Sequence, residues 1–89
     1  MKEFLKKLGI TQAGYFSTQG NFVIDFDNDL ELARAYSLLD KSDLVEESDD
    51  DSFINQHSMC QVFLSDDYQL TLLSDFDSDR YQLVVRELK

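Results

Sequence analysis

Apolar positions recur along this chain with two different periods, and these periods divide it into helices and strands. Near the start, Phe4, Leu5 and Leu8 fall at i, i+1 and i+4, the spacing of one helical face, and Gly9 is placed to end the element. This predicts a short helix over residues 2–8. Two extended segments follow, 13–17 and 21–26, with Thr18, Gln19, Gly20 and Asn21 supplying the turn between them. In the second segment Phe22, Ile24 and Phe26 share one face at period 2, so all three are predicted to point into the core.

The clearest helix is predicted from about Asp29 to Lys41. Leu32, Ala35, Tyr36 and Leu39 make an apolar stripe at i, i+3, i+4 and i+7. Asp27, Asn28 and Asp29 offer N-cap oxygens, and Glu31 adds a negative charge in the first turn, where the helix dipole favours it. Lys41 sits at the opposite end, which favours a cation. Residues 42–58 follow no clear period. Leu44 and Val45 suit the start of a short edge strand, and Glu46, Glu47, Asp49, Asp50 and Asp51 form a charge run expected to be solvated. Phe53 and Ile54 are expected to pin that segment back onto the core.

The last third alternates again, over 59–65, 68–73 and 81–87. Cys60, Val62 and Leu64 share one face of the first strand, with Gln61 and Phe63 on the other. Leu70 aligns with Leu72, and Tyr81 with Leu83 and Val85. Residues 65–67 and 75–79 are the connecting turns. The order α-β-β-α-(β)-β-β-β predicts an α+β fold: a small antiparallel sheet of four to six strands with two helices packed on one face.

Composition bounds this picture. Eighty-nine residues with 43% apolar side chains suit one folded domain with a modest core. No proline, Gly/Ser-rich linker or internal repeat divides the chain. No run reaches the ~18–20 apolar residues that a membrane span needs. The opening Met1 to Lys7 is followed by no apolar run and cleavage site of the secretory type. A single cysteine, Cys60, has no internal partner for a disulfide. Together these features predict a cytoplasmic protein.

Charge changes the picture most. The formal net charge is −10. Residues 1–24 carry Lys2, Lys6 and Lys7 against Glu3, and residues 80–89 carry Arg80, Arg86 and Lys89 against Glu87. Residues 25–79 hold sixteen acids against Arg34 and Lys41 alone. Such an excess argues against direct binding to nucleic acid or to an anionic membrane surface, both of which need a basic face. It favours a basic partner. The candidate partner-binding residues are Asp25, Asp27 and Asp29, then Asp49, Asp50 and Asp51, then Asp75, Asp77 and Asp79 with Phe76 among them. On an extended chain, carboxylates at i and i+2 lie about 7 Å apart on one face, a spacing of similar order to phosphates along a nucleic-acid strand. Phe76 would be an apolar anchor ringed by acids. Against this, Asp is a common turn and cap residue, and acidic surfaces keep proteins soluble.

Other chemistry is poorly supported. Asp-x-Asp-x-Asp opens a calcium-binding EF-hand loop, but that loop also requires Gly at its sixth position and Glu at its twelfth. Counting from Asp25 those positions are Leu30 and Tyr36, and from Asp75 they are Arg80 and Arg86. His57 and Cys60 are the only such residues for a thiolate pair. Cys60 shares a strand face with Val62 and Leu64, which predicts burial, and acidic surroundings raise a thiol pKa, the wrong direction for a nucleophile. Neither a cofactor nor a metal is expected, and no enzymatic activity. The aromatics Tyr15, Phe16, Phe53, Phe63, Tyr68 and Phe76 exceed what one sheet face must bury.

In size and charge the chain resembles small phage and mobile-element inhibitors that mimic DNA, such as anti-restriction proteins, anti-CRISPR proteins and uracil-DNA glycosylase inhibitors. The resemblance lies in composition, and no motif carries functional residues across. It implies a protein that occupies the basic channel of a DNA- or RNA-binding protein. The alternative is a small bacterial interaction module, of the immunity, antitoxin or housekeeping-adaptor type, that binds through an apolar patch.

Overall fold

The computed structural model describes residues 2–47, 59–75 and 80–88. Helix α1 spans Lys2–Leu8 and ends as its glycine predicts. Gly9 takes φ +93, the left-handed region that favours glycine. Its N–H donates to the Lys6 carbonyl at 3.0 Å, and the Ile10 N–H donates to the Leu5 carbonyl at 2.9 Å. These two bonds form a Schellman cap, completed by the buried Leu5 and Ile10 side chains.

Strand β1 is only Tyr15–Phe16, shorter than the segment 13–17 predicted from sequence. Gly14 explains the late start. A Cβ built there would lie 2.6 Å from the Val23 carbonyl oxygen and 2.7 Å from the Phe22 ring, so the chain crosses closely over β2 before it can pair. The turn back rests on Ser17. Its carbonyl accepts from the Gly20 N–H at 3.0 Å, its Oγ accepts from the Asn21 N–H at 3.2 Å, and Gly20 takes φ +83. Strand β2 is Phe22–Phe26, and helix α2 is Asp29–Asp40. Beyond α2, the Ser42 hydroxyl donates to the Leu39 carbonyl at 2.5 Å and accepts from the Leu44 N–H at 3.3 Å. The chain then enters β3, Val45–Glu47.

Strands β4 (Met59–Leu64), β5 (Tyr68–Asp75) and β6 (Arg80–Glu87) complete the sheet. The first of their turns is fixed by Ser65, whose N–H donates to the Tyr68 carbonyl at 2.9 Å and whose Oγ accepts from the Tyr68 N–H at 3.0 Å. The sheet order is β1-β2-β6-β5-β4-β3, and every neighbouring pair is antiparallel. The last strand therefore inserts between β2 and β5. The α+β class, the element order and the two helices agree with the expectation from sequence.

Register determines the core. Phe22 lies opposite Val85, Ile24 opposite Leu83, Leu70 opposite Val85, Leu72 opposite Leu83 and Phe63 opposite Leu70. These side chains line one face, where Leu5 and Ile10 and the α2 residues Leu32, Ala35 and Leu39 cover them. Each fully buried leucine there contributes about 1.5–3 kcal/mol relative to exposure. Phe63 belongs to this core and Tyr36 packs edge-on against it, ring centroids 5.9 Å apart. Half-buried Tyr68 stacks on Phe4 at 4.4 Å. Phe63 and Tyr68 are thus not surplus aromatics, because the helices bring their own apolar faces to this side of the sheet. The opposite face carries a smaller cluster of Cys60, Val62 and Leu73, flanked by Leu64 and Val84. Cys60 is buried, as its strand position predicts.

Candidate functional site

The acidic segment at 25–29 is shaped by the start of α2. Asn28 is the N-cap: its backbone is extended, with φ −158 and ψ 172, and its Oδ1 accepts from the Glu31 N–H at 3.0 Å. Glu31 reaches back, its Oε2 accepting from the Asp27 N–H at 3.0 Å. This reciprocal pair satisfies the backbone donors without using the carboxylates of Asp27 or Asp29, both of which are exposed. The expected row of three acids on one extended face is corrected accordingly. The strand stops at Phe26, so Asp25 lies on β2, Asp27 in the bend and Asp29 in the first turn of α2. Helix capping, a local demand, overrides the period-2 geometry. Asp25 is exposed and accepts from the Gln82 amide of β6, its register partner, at 2.6 Å. It borders a hollow of about 400 Å³ with Tyr15, Phe26, Arg80, Tyr81 and Gln82.

Topology then brings Asp75 to the same end of the sheet as Asp27 and Asp29. Strand β2 runs toward the end of the sheet where Asp27 and Asp29 lie. Its antiparallel neighbour β6 starts at that end with Arg80, beside Asp75 at the finish of β5. Strand β4 begins there at Met59, whereas β3 runs toward that end but stops short of it, with Glu47 opposite Val62 in the middle of the sheet. The chain between Asp75 and Arg80 carries Asp77 and Asp79, and the chain after Glu47 carries Asp49, Asp50 and Asp51. Those five acids and Phe76 lie outside the described residues, as do His57, Phe53 and Ile54. Arg80 is the cation that the described residues place at this end.

The opposite end is close to balanced. There Lys7 and Lys41 line a groove of about 800 Å³ together with Asp43 and Asp66. Lys2, Lys6 and Arg86 lie toward the same end, with Glu3, Asp40, Asp67 and Glu87. Among the described residues, acids thus outnumber cations at the end of the sheet that holds Asp27, Asp29 and Arg80, and nearly balance them at the other. No sequence signal revealed this, because it depends on β6 lying between β2 and β5.

The Tyr36 phenol holds its proton more tightly than a free tyrosine. The Glu46 carboxylate beside it raises the phenol above its ordinary value of 10.0, helped by burial, by Asp40 one turn along the helix and by a hydrogen bond with Glu46. Among the described residues no group of three or more His, Cys, Asp or Glu side chains is placed to hold a metal ion. Among them, no helix is long and apolar enough to cross a membrane. Compared with known protein families, curated proteins and solved structures, the chain matches none.

Proposed function

We propose that the protein is an acidic inhibitor that binds a basic nucleic-acid-binding protein and blocks it by presenting nucleic-acid-like charge, as phage-encoded anti-CRISPR and anti-restriction proteins do. The observation that carries this reading is the convergence at one end of the sheet. Asp27 and Asp29 at the start of α2 and Asp75 at the finish of β5 lie at the same end of the sheet, while the lysines of α1 and Lys41 lie toward the other. Exposed carboxylates on a rigid sheet-and-helix frame attract a Lys- and Arg-lined channel and steer its approach. Asp25, Asp27 and Asp29 supply part of that charge, and Asp49, Asp50, Asp51, Asp75, Asp77 and Asp79 extend it, with Phe76 as the apolar anchor.

The test is capture of a partner from bacterial lysate at two ionic strengths, followed by titration of the purified pair. Affinity falls steeply as salt rises, because screening acts on the charges that make the contact. The double reversal Asp27→Lys, Asp29→Lys lowers affinity at least tenfold, about 1.4 kcal/mol, with the circular dichroism spectrum unchanged. Affinity indifferent to both salt and reversal would overturn the proposal and leave the interaction-module alternative standing.

A further inference from the structure

We propose that the β1 edge is a self-association surface, on which two copies of this chain pair β1 against β1, antiparallel, and join their sheets into one. From Leu8 to Ile24 the sequence contains no Lys, Arg, His, Asp or Glu, although 29% of the whole chain is Asp, Glu, Lys or Arg. The fold places the middle of this uncharged stretch at one border of the sheet. Among the described residues β1 is hydrogen-bonded on one side only, to β2, so its outer backbone groups are open to a further strand. Tyr15 and Phe16 are 50% and 61% exposed. Their register, with Val23 and Phe22, puts one ring on each face of the sheet. Phe16 leans edge-on against Phe22 at 5.1 Å, which holds its ring at the border.

Charge selects the occupant. Two molecules of net charge −10 repel over most of their surfaces. The other sheet border, β3, carries Glu46 and Glu47, so pairing it with itself would oppose carboxylates. The β1 border opposes only neutral side chains. It pairs with the Phe22–Val23 half of β2, and an antiparallel two-fold arrangement points the acidic ends of the two copies in opposite directions. The two rings together expose about 200 Å² per copy, taking roughly 200 Å² for each whole side chain. A tight complex buries about 800 Å² per partner, so the dimer is a weak one, in the micromolar to millimolar range.

Sedimentation equilibrium tests this on the full chain from micromolar to millimolar concentration, at about 0.1 M and about 1 M salt, where charges are screened over about 10 Å and about 3 Å. The expected result is a concentration-dependent dimer that tightens about tenfold in the higher salt. That direction is opposite to the one expected for a basic partner, so the two proposals fail separately. Tyr15→Lys and Phe16→Lys each weaken the dimer at least tenfold with melting unchanged. Lysine reduces the overall negative charge, so weakening of this kind arises at the border itself. Should Phe16→Lys unfold the protein through its contact with Phe22, Tyr15→Lys decides the matter. A monomer at every concentration and salt, or a dimer indifferent to Tyr15→Lys, overturns the proposal.

Discussion

Replacing Gly14 with alanine puts a methyl group where the fold has no room for one. The added carbon would lie 2.6 Å from the Val23 carbonyl oxygen and 2.7 and 2.8 Å from two atoms of the Phe22 ring, against 3.4–4 Å for ordinary contact. The gap must therefore open by about 0.8 Å. Neither neighbour yields easily. Val23 is locked in the ladder opposite Val84, and the Phe22 ring is buried in the core. The movement falls on β1, which two register pairs hold to the sheet. Overpacking of this kind costs about 1–3 kcal/mol. Alanine returns about 0.4–1 kcal/mol by restricting the unfolded chain. The net expectation is a loss of about 0.5–2 kcal/mol, a fall in Tm of about 5–10 °C near the middle of that range. Urea titration reads it as a lower midpoint at unchanged slope. Hydrogen exchange should locate the loosening at Tyr15 and Phe16, and the weak dimer should dissociate with it. An alanine variant as stable as the parent would refute the reasoning, since the close approach of β1 to β2 would then impose no constraint.

Three further outcomes follow from other parts of the fold. Asn28→Ala removes the α2 cap and lowers stability by about 1 kcal/mol in thermal melts, whereas Asn28→Asp retains it. Ser74 is buried and its Oγ has no hydrogen-bond partner among the described residues, so Ser74→Ala should be neutral or stabilising by up to about 1 kcal/mol in urea; a clear loss would contradict that. Tyr36 has a raised pKa in the folded protein, so its contribution to stability is complete below the ordinary tyrosine value and is lost as pH rises through the folded value. Phenolate absorbance should accordingly show a late-titrating component that is absent in Tyr36→Phe, and stability of the parent should fall more steeply with alkali than that of the variant.

The helices were legible because their signals are local. The stripe of Leu32, Ala35 and Leu39 and the acceptor at Asn28 act within a few residues of one another, and so does the stop at Gly9. The alternation of Phe22, Ile24 and Phe26 revealed a core face for the same reason. Strand β4 was harder. Cys60, Val62 and Leu64 alternate with Phe63, so both of its faces are apolar, and period 2 does not say which one meets the helices. Phe63 went inward because Tyr36 and Leu70 face it there. The acidic excess was legible in the sequence, but the placement of Asp25, Asp27 and Asp29 was not. The apparent row Asp25, Asp27, Asp29 was broken by the beginning of α2.

What the amino-acid order determined alone was the kind and sequence of elements, the single-sided apolar stripe of α2, the turns at Gly20 and Ser65, and the sign and size of the net charge. Tertiary structure decided that β6 lies between β2 and β5, that Asp25 meets Gln82 fifty-seven positions away, and that Asp75 at the finish of β5 comes to the same end of the sheet as Asp27 and Asp29 while an uncharged strand forms the opposite border to Glu46 and Glu47. Periodicity and capping are energies between near neighbours and leave a mark in any short window. Strand order is an energy between distant segments, realised only when their apolar faces are buried together, and no window of the chain contains it.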